Sequence, residues 1–336
     1  MEVSWINMQI HLSFDYELFF GVNAGTIEKC ILEPTQQLIQ LAEKNSIPLI
    51  FFVDAGYLVQ LKNNSQYASC KLDLERISSQ IAKLSSLGHQ IALHIHPHWE
   101  DSKFDTDSNQ DDKWIIDTKR YKLSDFSKEE ASQIISKYNA ALFDITGKKC
   151  TAYRAGGWCV QPFLHIKAAL KENDITIDSS VYFNGFHDSP AHSYDFTIAK
   201  DKAEWKFEND PCVEDLKGSF KEISITPDKV GALFYWELYF KMKSAPEKFK
   251  PLGNGIWLKD KGRIYKQFHS STDHFACADG YFSSRLIHNL QQCEQKKFER
   301  MMVLSHPKSL APCSFDYLNE FIVFAKQRGH HFAILN

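Results

Sequence analysis

Five consecutive residues carry three imidazoles: His94-Ile95-His96-Pro97-His98. Imidazole binds borderline divalent metals, and two rings one helical turn apart can face the same ion. The i, i+4 spacing selects His94 and His98 and leaves His96 pointing elsewhere on a turn, at the rim of a site. Asp15-Tyr16-Glu17 offers two carboxylates, one suited to a metal and one left over, and the tripeptide alone does not say which is which. Asp54, Arg154, Asp178 and His306 complete a set in which nearly every group can bind a metal or move a proton.

These residues fall where an α/β fold would place chemistry, just past the carboxyl ends of parallel strands. Met8–Phe14 alternates as a strand and ends at Asp15, and Ile47–Val53 is a continuous apolar run that ends at Asp54. Gln90–His94 leads into the histidines, Cys150–Arg154 ends at the arginine, Ile175–Asp178 ends at the aspartate, and Met301–Leu304 precedes His306. Helical periodicity fills the gaps at Pro34–Lys44, Leu72–Leu87, Ser127 to about Ile145, Pro162–Glu172, Phe282–Gln295 and Ser314–Lys326. Ser127 with Glu130 forms a capping-box signature, and Gly88 and Gly147 stand at helix ends. A last strand is expected at His331–Leu335, and the stretch from Gly255 to Phe275 reads as irregular. Strand–helix alternation of this kind implies parallel strands with helical crossovers.

The 336 residues carry 43% hydrophobic and 24% charged side chains, which excludes a disordered chain. Thirty-nine basic against 42 acidic residues leave a charge of −3, so no overall field favours nucleic acid. No apolar run reaches the roughly 18–20 residues that span a bilayer. The N-terminus lacks a signal-like pattern and the eight cysteines lack a C-x-x-C, which together read as a cytoplasmic chain with reduced thiols. No linker or repeat divides the sequence, so one domain over 1–336 is expected, with a long elaboration at about 184–280. Two local charge biases stand out: Glu100–Asp117 with seven acids against two bases, and Lys241–Arg263 with seven bases against two acids.

Four ordered motifs resemble those of the NodB-homology polysaccharide deacetylases, carbohydrate esterase family 4: Ser13-Phe14-Asp15-Tyr16-Glu17, His94–His98, Tyr153-Arg154-Ala155-Gly156-Gly157-Trp158 and Leu304-Ser305-His306-Pro307. The resemblance covers residues 8 to about 185 and 300 to 335, and marks the chain as a divergent member. It implies a distorted (β/α) barrel with a long insertion before the last strands. It also implies one divalent metal ion, zinc for preference, and hydrolysis of an N-acetyl or O-acetyl group on a sugar.

Carried over, the motifs make Asp15 the general base, Arg154 the group that orients it, and His306 the general acid. Glu17 replaces the family's second aspartate, whose place Tyr16 occupies, so the implied metal ligands are Glu17, His94 and His98. Gly156 and Gly157 stand where the family has a proline and an aromatic, and the main chain from Gly156 through Gly157 to Trp158 is expected near the oxyanion. Asp178 matches a supporting acid, and Trp99 and Trp158 are candidates for stacking on a sugar ring or for ordinary packing at the barrel mouth. The implied partner is a carbohydrate, with nucleotide- and lipid-linked sugars among the candidates because of the basic stretch. Two other classes stay open: a catalytically inactive carbohydrate-binding relative, and a C–N hydrolase of a non-sugar amide.

Overall fold

A computed structural model describes residues 7–21, 23–106, 114–256 and 261–336, without the side chains of Lys261 and Arg263. Residues 107–113 of the acidic stretch, Lys259 with the rest of 257–260, and the N-terminal Met1-Glu2-Val3-Ser4-Trp5 lie outside the described residues.

In chain order the strands that matter here are β1 (Gln9–Tyr16), β2 (Ile50–Asp54), β3 (Gln90–Ile95), β4 (Ala152–Ala155) and β5 (Ile177–Asp178). They continue with β6 (Glu204–Phe207), β7 (Phe220–Ile223), β8 (Pro227–Val230), β9 (Thr272–Phe275), β10 (Arg300–Ser305) and β11 (His331–Phe332). The main helices are α1 (Glu33–Asn45), α2 (Ala55–Asn63), α3 (Ala68–Ser86), α4 (Lys128–Thr146), α5 (Lys167–Glu172), α6 (Ala232–Ser244), α7 (Lys261–His269), α8 (Leu286–Lys296) and α9 (Pro312–Gln327). Contacts gather these elements into two compact units, each discontinuous in sequence.

The first unit comprises the chain up to Phe14, Leu18–Leu49 and Ile225–Ala333. Its β1 residues run parallel to β10 from Gln9↔Arg300 to Phe14↔Ser305, and β11 pairs with the start of β1. An antiparallel hairpin of β8 and β9 lies in the same unit, and an isolated bridge joins Cys277 to Leu304.

The second unit comprises Asp15–Glu17, Ile50–Ser224 and Ile334–Asn336. Here β2, β3, β4, β5 and β7 are parallel neighbours in that order, and β6 closes the edge antiparallel to β7. Helices α2 and α3 connect β2 to β3, and α4 connects β3 to β4, which is the expected crossover pattern. Every residue of β2 is buried, as its unbroken apolar run requires of a strand covered on both faces. Helix α4 starts at the expected capping box, with Ser127 Oγ accepting from the Glu130 amide and Glu130 Oε2 accepting from the Ser127 amide. It stops at Gly147 in the left-handed conformation, φ 64°, where a side chain would be strained. Register sets the functional rows: Asp54 pairs with His94, and His94 with Arg154.

The structure differs from the sequence reading between residues 184 and 280. Strand β6 and helices α6 and α7 form where no regular element was expected, and β9 replaces the end of the irregular stretch. Helix α6 (ALFYWELYFKMKS) carries large apolar residues on both of its faces, so it shows no amphipathic period for a sequence reading to find.

In the second unit, Asp178 on β5 and Glu222 on β7 stand opposite one another in register, and both are fully buried. Burial raises both carboxyls, and at Glu222 the neighbouring Asp178 charge adds to burial, so that Glu222 is raised further than Asp178. Glu222 Oε1 accepts from the Val181 amide at 3.0 Å. A carboxyl raised in the folded state binds its proton more tightly there than in the unfolded chain. That contribution is therefore lost as pH climbs above the ordinary glutamate value of about 4.3. Glu222→Gln is expected to lose less stability than the wild type between about pH 5 and pH 8 in urea unfolding. Identical pH slopes in the two proteins would mean that the pair holds no proton.

Candidate metal centre

Strand β3 ends at Ile95, but His96 keeps extended backbone, φ −106° and ψ 96°, before Pro97 opens a turn of 3₁₀ helix. Side chains two apart on an extended strand share a face. His94 and His96 therefore point the same way, with Ile95 between them on the other face. Glu17, just beyond β1, meets both: its Oε2 lies 3.0 Å from His94 Nε2 and 2.7 Å from His96 Nε2. The two Nε2 atoms are 3.1 Å apart, and all three residues are buried.

His98 does not join them. It falls inside the 3₁₀ turn Pro97–Glu100, where its ring stacks on Tyr121 at 5.7 Å and packs against Trp99. The set brought together is Glu17, His94 and His96, in place of the expected Glu17, His94 and His98. The i, i+4 rule applies to a helix, and here the chain is extended through the first two histidines.

The donor set decides whether a divalent cation fits. His94 Nδ1 lies 2.8 Å from the Arg154 carbonyl oxygen, which can only accept, so Nδ1 carries the proton and donates. The neutral ring then turns the Nε2 lone pair toward a carboxylate oxygen and a second imidazole nitrogen. Such a convergence needs a cation or an extra proton between the groups. Without a metal, burial pushes the His94 ring down, but Asp15, Glu17 and Asp54 outweigh it and raise the ring to about 9. Two imidazole nitrogens and one carboxylate, with one ring held by a carbonyl behind it, fit a divalent cation of the zinc type.

Asp15 is not part of this triad. Its Oδ1 accepts from Arg154 Nη1 at 2.6 Å, and its Oδ2 stands 3.9 Å from His94 Nε2. Arg154 is fully buried: Nε donates to the Ser179 carbonyl at 2.7 Å, Nη2 donates to Ser179 Oγ at 3.2 Å, and the guanidinium lies 3.9 Å over the Phe52 ring. Tyr16, in the family's metal position, instead points away and donates to Gln80 Oε1 at 2.9 Å.

Gly156 explains how the two histidines fit. A Cβ at this position would lie 2.5 Å from the Ile95 carbonyl oxygen and 2.6 Å from His96 Nδ1. The glycine is the floor on which the His96 ring rests. Gly157 and Trp158 follow with φ of 58° and 60°, and Trp158 packs half-buried against Tyr182 and Tyr194. The Gly157 carbonyl accepts from His192 Nε2 at 2.6 Å.

Trp99 is fully buried, so it cannot stack on a sugar; its Nε1 donates to Asp54 Oδ2 at 2.6 Å, and its ring packs on Tyr57 and Trp114. Asp54, just before α2, is pushed up to about 7 by burial. Asp178 is turned into the sheet, accepting from the Ser180 hydroxyl at 2.8 Å and from Glu222.

His306 belongs to the other unit and has a partner that the sequence reading missed. Its Nδ1 donates to Asp279 Oδ2 at 2.9 Å, and Asp279 Oδ1 accepts from the His306 amide and the Ser305 hydroxyl. Burial opposes the Asp279 charge, but these three contacts hold the carboxyl below its ordinary range. The available signal was the short run Ala276-Cys277-Ala278 before Asp279-Gly280, a strand-like end that the irregular surroundings concealed.

Two substitutions separate the histidines. His96→Ala is expected to abolish stoichiometric zinc binding and His98→Ala to retain it, as read by metal analysis of folded protein; the reverse would restore the i, i+4 set. Gly156→Ala, by displacing the His96 ring, should weaken zinc about 10- to 100-fold without touching a ligand.

No protein-family model matches the chain, and no curated protein matches it. Among solved structures, a Mycobacterium smegmatis protein assigned as a polysaccharide deacetylase superposes with a TM-score of 0.55 at 14% identity, over 98% of this chain and 88% of that one. A peptidoglycan N-acetylglucosamine deacetylase overlaps at a TM-score of 0.45 and 12% identity, over 98% of this chain and 87% of that one. A family 4 carbohydrate esterase from Streptomyces lividans, in complex with acetate, overlaps at 0.43 and 9%, over 98% and 94%. The first of these shows the fold: the chain has the α/β architecture of that deacetylase, a distorted (β/α) barrel of the NodB-homology type.

Proposed function

We propose that this chain is a metal-dependent hydrolase that removes an acetyl group, N-acetyl above all, from a sugar or a surface-polysaccharide precursor. The observation that carries the reading is the Glu17–His94–His96 cluster with the Asp15–Arg154 pair 3.9 Å from one of its rings. A metal alone would suit storage or structure, whereas a carboxylate held beside it by a buried arginine suits proton transfer.

Glu17, His94 and His96 would hold the ion, zinc for preference. A divalent ion so bound supplies a polarised acyl carbonyl and a more acidic water. Asp15 would accept a proton from a water beside it, and Arg154 would hold its carboxylate aimed. His306 fits the role of proton donor to the leaving amine: Asp279 behind Nδ1 fixes the tautomer and steadies the imidazolium. The main chain of Gly156, Gly157 and Trp158 is assigned to the oxyanion on the strength of the sequence motif. Lys241, Lys243, Lys248 and Lys250 keep nucleotide- and lipid-linked sugars among the candidate substrates.

Acetate release from a panel of N-acetyl sugars, with metal content measured on the same sample, tests the proposal. Asp15→Asn should retain the metal and lose about 100- to 10,000-fold in kcat. Breaking a buried ion pair costs about 3–5 kcal/mol, so the comparison is made where thermal melting shows the variant folded. Equal loss of metal and activity would place Asp15 among the ligands. A metal-loaded wild type that releases acetate from no sugar but cleaves other amides would move the assignment to a non-sugar C–N hydrolase, and one that cleaves neither would leave a binding protein.

A further inference from the structure

Helix α6 in the first unit has two apolar faces, and among the described residues the outer one is covered only in part, by Phe268 of α7 against Trp236 and Tyr239. On the inner face Phe234, Leu238 and Met242 pack against Phe249, Tyr281 and Ala311, with Phe234 stacked on Tyr281 at 5.3 Å. On the outer face Leu233 is 85% exposed and Phe240 59%, and Trp236 and Tyr239 stand exposed between them. The surface continues onto α7, where Tyr265 is 67% exposed and Ile264 is exposed beside it. The two helices are tied by Trp236, whose ring meets Phe268 at 4.8 Å and whose Nε1 donates to the Phe268 carbonyl at 3.1 Å. Large aromatic side chains left contiguous on a surface mark a docking site, since water makes no favourable use of them.

The charges around this face narrow the occupant. Lys243 lies on the outer face with its ammonium 4.7 Å over the Tyr239 ring, and Lys250 and Lys266 are exposed on the flanking segments, whereas Lys248 faces Asp316 at 3.8 Å. Glu237 on α6 is half-exposed at the edge of this face, where it accepts from the Tyr281 hydroxyl at 2.6 Å and faces Lys241 at 3.4 Å. The outer face therefore combines Leu, Trp, Tyr and Phe with lysine, and the one carboxylate of its helix, the half-exposed Glu237 at its edge, is engaged by the Tyr281 hydroxyl and Lys241. A symmetric pairing of two copies would bring like lysines together. A neutral glycan would use the rings but neither the leucine nor the ammonium groups. A bilayer interface uses all of them: aliphatic and aromatic groups enter the acyl boundary, Trp and Tyr sit at headgroup depth, and lysines meet anionic lipid.

We propose that the outer face of α6, continued by α7, docks this protein on the surface of an anionic lipid bilayer. The attraction is local, because the chain as a whole carries −3. It therefore requires acidic lipid and weakens with salt. The proposal is independent of the hydrolase reading, and its test uses no activity.

The full chain is sedimented with vesicles of phosphatidylcholine alone and with vesicles containing about a third phosphatidylglycerol, at low and high salt. Binding is expected to the acidic vesicles at low salt, at least about tenfold tighter than to neutral ones. Leu233→Ser with Phe240→Ser should weaken it about tenfold or more, since both side chains lose their burial in the interface. Lys243→Gln and Lys250→Gln should each cost roughly fivefold. All of these positions are solvent-exposed, so circular dichroism and metal content should match the wild type. Absence of vesicle binding, equal binding to neutral vesicles, or no effect of the Leu233/Phe240 pair overturns the proposal. So does a concentration-dependent dimer in light scattering that the same pair dissolves, which would assign the face to a second copy.

Discussion

The ion pair between Asp15 and Arg154 is the interaction on which the rest of the site depends. Both groups are buried, and a buried charge without its partner costs several kcal/mol, so neither can be removed without consequence for the other. The pair does more than neutralise. Arg154 lies on β4, reaches Asp15 at the end of β1, and uses its remaining donors on Ser179 beyond β5. Its own carbonyl accepts from His94 on β3. One residue thus joins the ends of four strands, and it fixes both the Asp15 carboxylate and the tautomer of the His94 ring.

Beneath it lies a second acidic layer. Asp178 and Glu222 face one another farther along the sheet, both raised by burial, and the arginine's charge opposes that rise in each. Asp178, which the sequence motif matches to a supporting acid, lies within the field of the arginine's charge. Stacking acids and a guanidinium in adjacent strands compensates charge across the sheet, where solvent is excluded and an uncompensated group would be expensive.

Much of this was legible in the sequence, for reasons that particular residues make plain. β2 announced itself by an apolar run without a break, and α4 by Ser127, Glu130 and Gly147, each acting through local hydrogen bonds or backbone conformation. The chemistry-bearing positions were legible because they follow strands. The choice between His96 and His98 was not, because it turns on whether the backbone after His94 is extended or helical, a difference of one dihedral well. Asp279 was hidden because its importance comes from pairing with residues about 26 positions away, which no local pattern records. Helix α6 was hidden because its second apolar face erases the period that would have revealed it.

Gly156 carries a consequence for how such a centre can change over time. The space that a methyl group would fill belongs to His96 and to the Ile95 carbonyl. A histidine-x-histidine strand and a glycine some sixty positions later are thus one feature written in two places. A lineage could not acquire a bulkier third motif while keeping both ring ligands on the strand. It would first have to move a ligand to the following turn, and only then would the floor be free to grow a side chain. Chains of this architecture should accordingly fall into two groups, one with paired imidazoles over a bare backbone and one with spaced imidazoles over a filled one, with few intermediates between them.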